Sequence, residues 1–252
     1  MPTTTCTQFE STKRRPRLRE VFWLEQNERD VPQDDLWLGE RELATLSRLR
    51  FAKRRAEWRL GRWTAKLAVS AYLGRDISQQ SLRALQICAA EDGAPEVLTP
   101  SGREVTISLS HRAGIAMCAV TLAGMAIGCD LEVVEARSDA FIHDYFTVQE
   151  QATIRDAGLS QQPLLANLFW SAKESALKAT RTGLRSSTQS LNVLLLHDSP
   201  CTGDWRPFLI ESKAGESIDG WWQRDGELLR TIVTIPAACA PTPLSNDSFM
   251  RA

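Results

Sequence analysis

The sequence predicts an α+β protein made of two similar halves. Segments with strand and helix patterns follow one another in the order strand, helix, strands, and then helix and strands again. The chain of 252 residues is 43% hydrophobic and 24% charged, which supplies enough apolar material for a sizeable core. The two halves share no evident sequence identity, so their similarity is inferred from the order of elements alone.

Local patterns predict each element in turn. Helical periodicity and the stop signal of Gly74 predict a long first helix, and Asp225-Gly226 predicts a tight hairpin turn. The predicted helices lie at residues 40–73, with one break, 138–156 and 163–181. The predicted strands lie at residues 20–25, 82–88, 105–110, 115–122, 125–133, 191–196, 208–212, 217–223 and 228–235.

Residues 113–129 form an uncharged run that needs a separate interpretation. The run is shorter than the roughly 20 apolar residues that cross a bilayer, and glycines interrupt it. We therefore predict a strand hairpin with a turn near Gly124, and no membrane span.

The chain is expected to divide into four regions. These are a disordered basic arm at 1–19, an N-terminal α/β half at 20–125, a C-terminal α/β half at 126–238 and a loose tail at 239–252. Because pockets favour domain interfaces, an active site is expected at the junction of the halves.

Charge and cysteine usage narrow the class of protein. The 30 basic and 31 acidic residues give a net charge of −1, which argues against a globally basic nucleic-acid binder. The first 19 residues lack the apolar core of a secretory signal. No two of the six cysteines form a CxxC pair, so free thiols in a reducing cytoplasm are expected.

Two carboxylates follow the uncharged run. Asp130 and Glu132 are two residues apart, so on a strand they point to the same face. Such close anions repel each other, and a divalent cation such as Mg²⁺ removes the conflict. The alternative is a strand end whose two acids are simply hydrated.

A second group lies on the helix predicted at 163–181. Trp170, Glu174, Lys178 and Arg181 share one helical face. The simple interpretation is a surface Glu–Lys pair worth about 0.3–0.5 kcal/mol. That interpretation does not explain why a tryptophan shares the polar face.

A third group is basic. Arg55, Arg59, Arg62 and Lys66 form a helical stripe that borders an apolar stripe, so it could line a cleft that attracts phosphate. The alternative is a solvated helix face balanced by nearby glutamates.

Two smaller signals complete the set. Ser110 and His111 end a predicted strand and could donate hydrogen bonds to a phosphate, although they do not form a nucleophile–base pair. Glu150 reads by itself as a helix-surface acid.

Taken together and in order, these segments resemble the Sfp-like 4′-phosphopantetheinyl transferases over residues 20–235. The (I/V)G-x-D-x-E and W-x-x-K-E-(A/S)-x-x-K pair is the most specific part. Cys129 replaces a usual aliphatic residue, and Ala94 stands where many members have Lys. The matching segments are 54–66 (RRAEWRLGRWTAK), 91–95 (EDGAP), 107–111 (ISLSH), 127–132 (IGCDLE), 146–150 (FTVQE) and 170–178 (WSAKESALK), closed by Gly183-Leu184.

The resemblance implies a pseudo-twofold pair of α/β halves with coenzyme A bound between them. It implies that Asp130, Glu132 and Glu174 hold Mg²⁺, or Mn²⁺, against the pyrophosphate, and that Lys178 neutralises phosphate oxygens. The cofactor contacts that it implies are Arg54, Arg62, Gly93, Ala94, Pro95, Ser110, His111, Asp130 and Lys178.

The implied reaction is phosphoryl transfer to a serine of an acidic acyl or peptidyl carrier protein, by a monomeric enzyme that needs neither nucleic acid nor membrane. Glu174 and Glu150 are the candidate bases, and the sequence does not choose between them. Arg181 and Arg185 are candidates for docking the carrier. The alternatives are a metal-dependent phosphohydrolase and a non-catalytic polyanion binder that uses the basic helix.

Overall fold

A computed structural model describes residues 19–98, 102, 104–183, 186–196 and 204–244. Within these residues the chain forms six α-helices and eleven β-strands. The helices are α1 (Glu40–Arg48), α2 (Ala52–Leu73), α3 (Gln79–Ala84), α4 (Asp139–Tyr145), α5 (Val148–Asp156) and α6 (Gln162–Ala179). The strands are β1 (Phe22–Asn27), β2 (Gln86–Ala89), β3 (Pro95–Leu98), β4 (Val105–Arg112), β5 (Ile115–Leu122), β6 (Ala126–Val133), β7 (Leu191–Leu195), β8 (Arg206–Ser212), β9 (Ser217–Asp225), β10 (Leu228–Ile235) and β11 (Thr242–Pro243).

The strands form two main sheets and one separate hairpin. The first sheet has the order β11-β1-β5-β4, and the second has the order β6-β10-β9-β8-β7. All pairings are antiparallel except β1 with β11. Strands β2 and β3 pair only with each other among the described strands.

The two halves have the same plan, as the element order predicted. In each half the first strand pairs with the last one, β1 with β5 and β6 with β10. A long helix, α2 or α6, lies between them in sequence and is followed by two strand pairs. The protein therefore has the predicted α+β fold of two similar halves.

Alternation along two central strands explains how the halves meet. On β5, Cys118 and Val120 face the core under α2, whereas Met117 and Ala119 face the second sheet. On β6, Ile127, Cys129 and Leu131 pack into that same core between the sheets. The intervening residues of β6 consequently face α6.

The uncharged run is two strands, as predicted, but they do not form a hairpin. Strand β5 pairs with β1 and β4, and β6 pairs with β10 in the other sheet. The turn at Gly124 instead carries the chain from one sheet to the next. The prediction was wrong because period-two alternation identifies a strand but not its partner.

Other predictions also need correction. The strand expected at 82–88 is the end of helix α3 followed by β2, because a short apolar run fits either structure. The start of the expected loose tail is ordered, since Thr242 and Leu244 donate to carbonyls of the β1 region. Residues 245–252 and 1–18 lie outside the described residues.

No helix in the described ranges combines the length and the apolar character that a membrane crossing requires. The four described cysteines, at positions 88, 118, 129 and 239, are free thiols.

Candidate active site at the junction of the halves

The candidate site lies where β6 runs against α6. Gly128, Asp130 and Glu132 alternate on the face of β6 that meets the helix. A Cβ atom at Gly128 would come within 1.8 Å of the carbonyl oxygen of Ser175, so only glycine permits this close approach. The close packing brings the two following acids to the polar face of α6.

Asp130 links three elements and is nearly buried. Its Oδ1 accepts hydrogen bonds from Ser110 Oγ on β4 and from Lys178 Nζ on α6, both at 2.8 Å. Lys178 Nζ also donates to the carbonyl oxygen of Cys129 at 2.9 Å. The predicted residues Ser110, Asp130 and Lys178 are therefore brought together.

Two carboxylate oxygens at this site are buried without a hydrogen-bond partner, Asp130 Oδ2 and Glu174 Oε1. A buried unpaired acceptor is costly, so such oxygens suit a hard cation. As the side chains stand, no three His, Cys, Asp or Glu residues in the described ranges are grouped as a metal site. The donor chemistry of Asp130 and Glu174 nevertheless fits Mg²⁺.

Glu132, the third predicted ligand, is held by other partners. Its Oε1 accepts from Trp170 Nε1 at 3.1 Å, and its Oε2 lies 3.2 Å from Arg137 and 3.5 Å from Arg112. The hydrogen bond from Trp170 Nε1 to Glu132 explains why this tryptophan lies on the polar face of α6. No local sequence pattern pairs Arg112 or Arg137 with Glu132, so these two contacts were not predicted.

Burial and mutual repulsion shape the electrostatics of the site. Burial raises the pKa of Glu174, and Asp130 and Glu132 raise it further despite the opposing effect of Lys178. The pKa of Glu132 is likewise raised by burial and by Asp130, against Arg137 and Arg112. Burial lowers the pKa of Lys178, but Asp130, Cys129 and Glu174 outweigh it and the pKa is raised, so the ammonium stays charged at neutral pH.

Two of the predicted phosphate contacts, Arg54 and His111, lie where α2 meets the end of β4. His111 Nε2 is 3.7 Å from Glu57 Oε2, and Arg54 approaches the same oxygen at 4.0 Å. Arg62 stacks over Trp58, and its buried Nε has no hydrogen-bond partner. Burial lowers the pKa of Arg62, against the effect of Glu42.

The rest of the basic stripe does not line a cleft. Arg55 donates to the Leu46 carbonyl at the end of α1, and Arg59 binds the loop of residues 32–35. Lys66 is fully buried and pairs with Glu42. Three of the four stripe residues therefore stabilise the N-terminal half, which argues against a polyanion surface on this helix.

Glu150, one of the two candidate bases, is enclosed in the core. It is 1% exposed, and its Oε2 lies 2.6 Å from Lys173 Nζ and 2.8 Å from the Thr147 amide. Its Oε1 accepts from the Val193 amide at 2.9 Å. Both oxygens are occupied, so the structure gives Glu150 a structural role and leaves Glu174 as the candidate base.

A cavity of about 560 Å³ opens beside the site, between the halves. Its walls come from the β2–β3 turn and the start of β3 at 92–97, from β4, from the β5–β6 turn and the start of β6 at 123–127, and from the end of α6. Gly93, Ala94, Pro95 and Lys178 lie on its lining. The cavity is thus bordered by predicted cofactor contacts from both halves.

The sequence is also similar to known proteins. Residues 126–220 match the family model of the 4′-phosphopantetheinyl transferase superfamily. The 4′-phosphopantetheinyl transferase HetI of Nostoc is 26% identical over 182 residues, which cover 70% of this chain and 73% of that protein.

One shorter relative and one solved structure match part of the chain. The holo-[acyl-carrier-protein] synthase of Streptococcus sanguinis is 38% identical over 86 residues, which cover 34% of this chain and 71% of that protein. A crystal structure of a holo-(acyl-carrier-protein) synthase from Bacillus anthracis in complex with CoA (3′,5′-ADP) is 22% identical, with a TM-score of 0.37 over 42% of this chain and 96% of that chain.

Proposed function

Because the chain belongs to the 4′-phosphopantetheinyl transferase superfamily, we propose that it transfers 4′-phosphopantetheine from coenzyme A to a serine hydroxyl of an acyl or peptidyl carrier protein, with Mg²⁺ as cofactor. The released product is adenosine 3′,5′-bisphosphate. The observation that carries this proposal is the pair of buried, unpartnered oxygens on Asp130 and Glu174 beside the charged Lys178.

Asp130, Glu174 and Glu132 would hold the metal ion in this proposal. Held there, Mg²⁺ would supply positive charge to neutralise the diphosphate, and Mn²⁺ accepts the same ligands. Glu132 would exchange its contacts with Trp170 or Arg137 for the ion. The raised pKa values of Glu132 and Glu174 support the need for such a countercharge.

Coenzyme A would occupy the cavity between the halves. Gly93, Ala94 and Pro95 lie along that cavity, and the alanine at position 94 offers no side-chain charge to a phosphate. The phosphate contacts would be Arg54, Arg62, Ser110, His111 and Lys178. Arg54 and His111 lie close together, since both approach Glu57 Oε2, at 4.0 Å and 3.7 Å.

The chemistry needs positioning and charge neutralisation more than covalent help. The serine oxygen forms a bond to the phosphorus that carries pantetheine. The bond between that phosphorus and the bridging oxygen of the diphosphate breaks, and this oxygen leaves as part of adenosine 3′,5′-bisphosphate. Glu174 takes the serine proton, since its Oε1 has no hydrogen-bond partner whereas both oxygens of Glu150 are already bonded. Lys178 stabilises the negative charge that develops on the phosphate oxygens.

The partner would be an acidic carrier protein, bound by a monomeric enzyme in the cytoplasm. Of the two arginines considered for docking, Arg181 is paired with Asp92 and Glu96, and Arg185 lies outside the described residues. The composition and the inward-pointing basic stripe give no support to a nucleic-acid partner.

Mass spectrometry of an apo carrier protein tests the proposed function. After incubation with this chain, coenzyme A and Mg²⁺, the carrier should gain one 4′-phosphopantetheine group, and a chelator should prevent the gain. A metal-dependent phosphohydrolase would instead consume coenzyme A and leave the mass of the carrier unchanged.

A further inference from the structure

Arg181 occupies a backbone position that disfavours its own residue type. It follows the last turn of α6 with φ = 57°, in the left-handed region. The amide of Thr182 reaches back to the Leu177 carbonyl, as in helix ends that usually place glycine at this point. A non-glycine residue there is disfavoured, so a strained arginine beside a cavity calls for a functional explanation.

The Arg181 side chain reaches the other half of the molecule. Its Nε lies 3.1 Å from Asp92 Oδ2, and an Nη lies 3.2 Å from Glu96 Oε1. Asp92 also fixes the β2–β3 turn, because its Oδ1 accepts from the Ala94 amide at 3.0 Å. We call these three side chains, Arg181, Asp92 and Glu96, the Arg181 latch.

The latch joins two walls of the cavity. All three of its residues line the cavity, and so does Lys178, which precedes Arg181 by one turn of α6. The β2–β3 hairpin shares no strand pairing with either main sheet in the described part of the chain, so side chains must hold its tip in place. That tip forms one wall of the cavity.

We propose that Arg181 is a positioning residue for coenzyme A: through Asp92 and Glu96 it holds the β2–β3 turn against the end of α6 and so keeps the cavity in its binding shape. This inference rests on the proposed function. It differs from a direct role in which Arg181 would simply attract the anionic cofactor, because its guanidinium is already shared between two carboxylates.

The two roles predict opposite effects when the carboxylates are neutralised. The double variant D92N/E96Q removes two negative charges and leaves Arg181 in place. Asn at position 92 keeps an oxygen that can accept from the Ala94 amide, so the turn is preserved. A direct attraction would tighten coenzyme A binding in this variant, whereas loss of the latch weakens it.

Calorimetric titration of the full chain with coenzyme A tests the latch. In Arg181→Gly, whose backbone suits glycine, the dissociation constant should rise about fivefold, the size expected for a partly exposed ion pair. The D92N/E96Q variant should show a similar rise, and the triple variant should add nothing further. In turnover assays of these variants, KM for coenzyme A should rise and kcat should stay unchanged.

Arg224→Gln is the matched control. Arg224 pairs with Glu227 on the β9–β10 hairpin, and its loss removes the same charge away from the cavity. The dissociation constant of the Arg224→Gln variant for coenzyme A should stay within about twofold of the wild-type value. If Arg181→Gly binds coenzyme A with unchanged affinity, or D92N/E96Q binds it more tightly, the proposed positioning role of Arg181 is wrong. Failure of the wild type to bind coenzyme A would overturn the proposed function itself, and the latch with it.

Discussion

Glu42 and Glu150 occupy equivalent positions in the two halves and make the same contacts. Each lies three residues into a short helix, where one oxygen accepts the amide of the capping residue and pairs with a buried lysine of the long helix. The other oxygen accepts an amide of the first strand after that helix, Ile87 or Val193. The pseudo-twofold plan therefore extends to individual hydrogen bonds.

Removing either glutamate should destabilise the fold. Glu42→Gln or Glu150→Gln leaves a buried ammonium without its counterion, which costs about 3–5 kcal/mol. Urea unfolding measures this loss. The exposed Glu227→Gln is the control and should change the free energy of unfolding by less than about 0.5 kcal/mol. If Glu150→Gln changed the free energy of unfolding no more than Glu227→Gln does, a structural role for Glu150 would be contradicted.

The close contact of β6 with α6 predicts a sharp contrast between two glycines. Gly128→Ala forces a Cβ atom to within 1.8 Å of the Ser175 carbonyl, so we expect a loss of more than about 3 kcal/mol or failure to fold. Gly61→Ala, in α2 with open space around it, should stabilise the protein by about 0.5–1 kcal/mol. Thermal unfolding of both variants distinguishes these outcomes, and a well-folded Gly128→Ala protein would contradict the packing.

Lys178 should affect the rate more than the binding of coenzyme A. Lys178→Gln removes the ammonium that lies 2.8 Å from Asp130, and with it the charge opposite the developing phosphate charge. We expect kcat to fall by about 100-fold, the size seen for a lost transition-state donor. Steady-state kinetics measure this, with Arg224→Gln as the control for a simple change in charge. A kcat within threefold of the wild type, about 0.7 kcal/mol, would remove Lys178 from the reaction.

The acidic cluster predicts a pH-dependent stability in the metal-free protein. The folded state raises the pKa of Glu174 through burial and through Asp130 and Glu132, so it binds this proton more tightly than the unfolded chain does. At neutral pH the ionised Glu174 carboxylate therefore lowers the free energy of unfolding. This destabilisation disappears as the pH falls below 4.5, the ordinary pKa of a glutamate.

Glu174→Gln should consequently raise the unfolding temperature of the chelated protein at about pH 7, and the gain should vanish near pH 4. Added Mg²⁺ should raise the unfolding temperature of the wild type but not that of the variant. A variant that is less stable than the wild type at neutral pH without metal would contradict the raised pKa.

Short-range patterns predicted most helices and strands because they depend on local periodicity. The break between α1 and α2 and the turn at Asp225-Gly226 are examples of this kind. The pairing of β5 and β6 with different sheets depends on distant strands, which a single sequence does not reveal. The hairpin prediction therefore failed although both strands were correct.

In the candidate site too, local spacing predicted groupings within one element but not contacts that depend on distant parts of the chain. Period-two and period-3.6 spacing correctly grouped Asp130 with Glu132 and Glu174 with Lys178, because each pair lies within one element. Spacing could not distinguish the exposed Arg54 from the buried Lys66, since burial depends on what the rest of the chain packs against. Glu150 was misjudged for the same reason, because its lysine partner lies 23 residues further along.

The most direct test of the account is the affinity for coenzyme A with and without Mg²⁺. If the free oxygens of Asp130 and Glu174 bind the ion against the diphosphate, calorimetry should show binding at least about tenfold tighter with Mg²⁺ than with a chelator. The difference should be absent in the Asp130→Asn, Glu174→Gln double variant. Equal affinity of the wild type under both conditions would contradict the metal site on which the proposed mechanism depends.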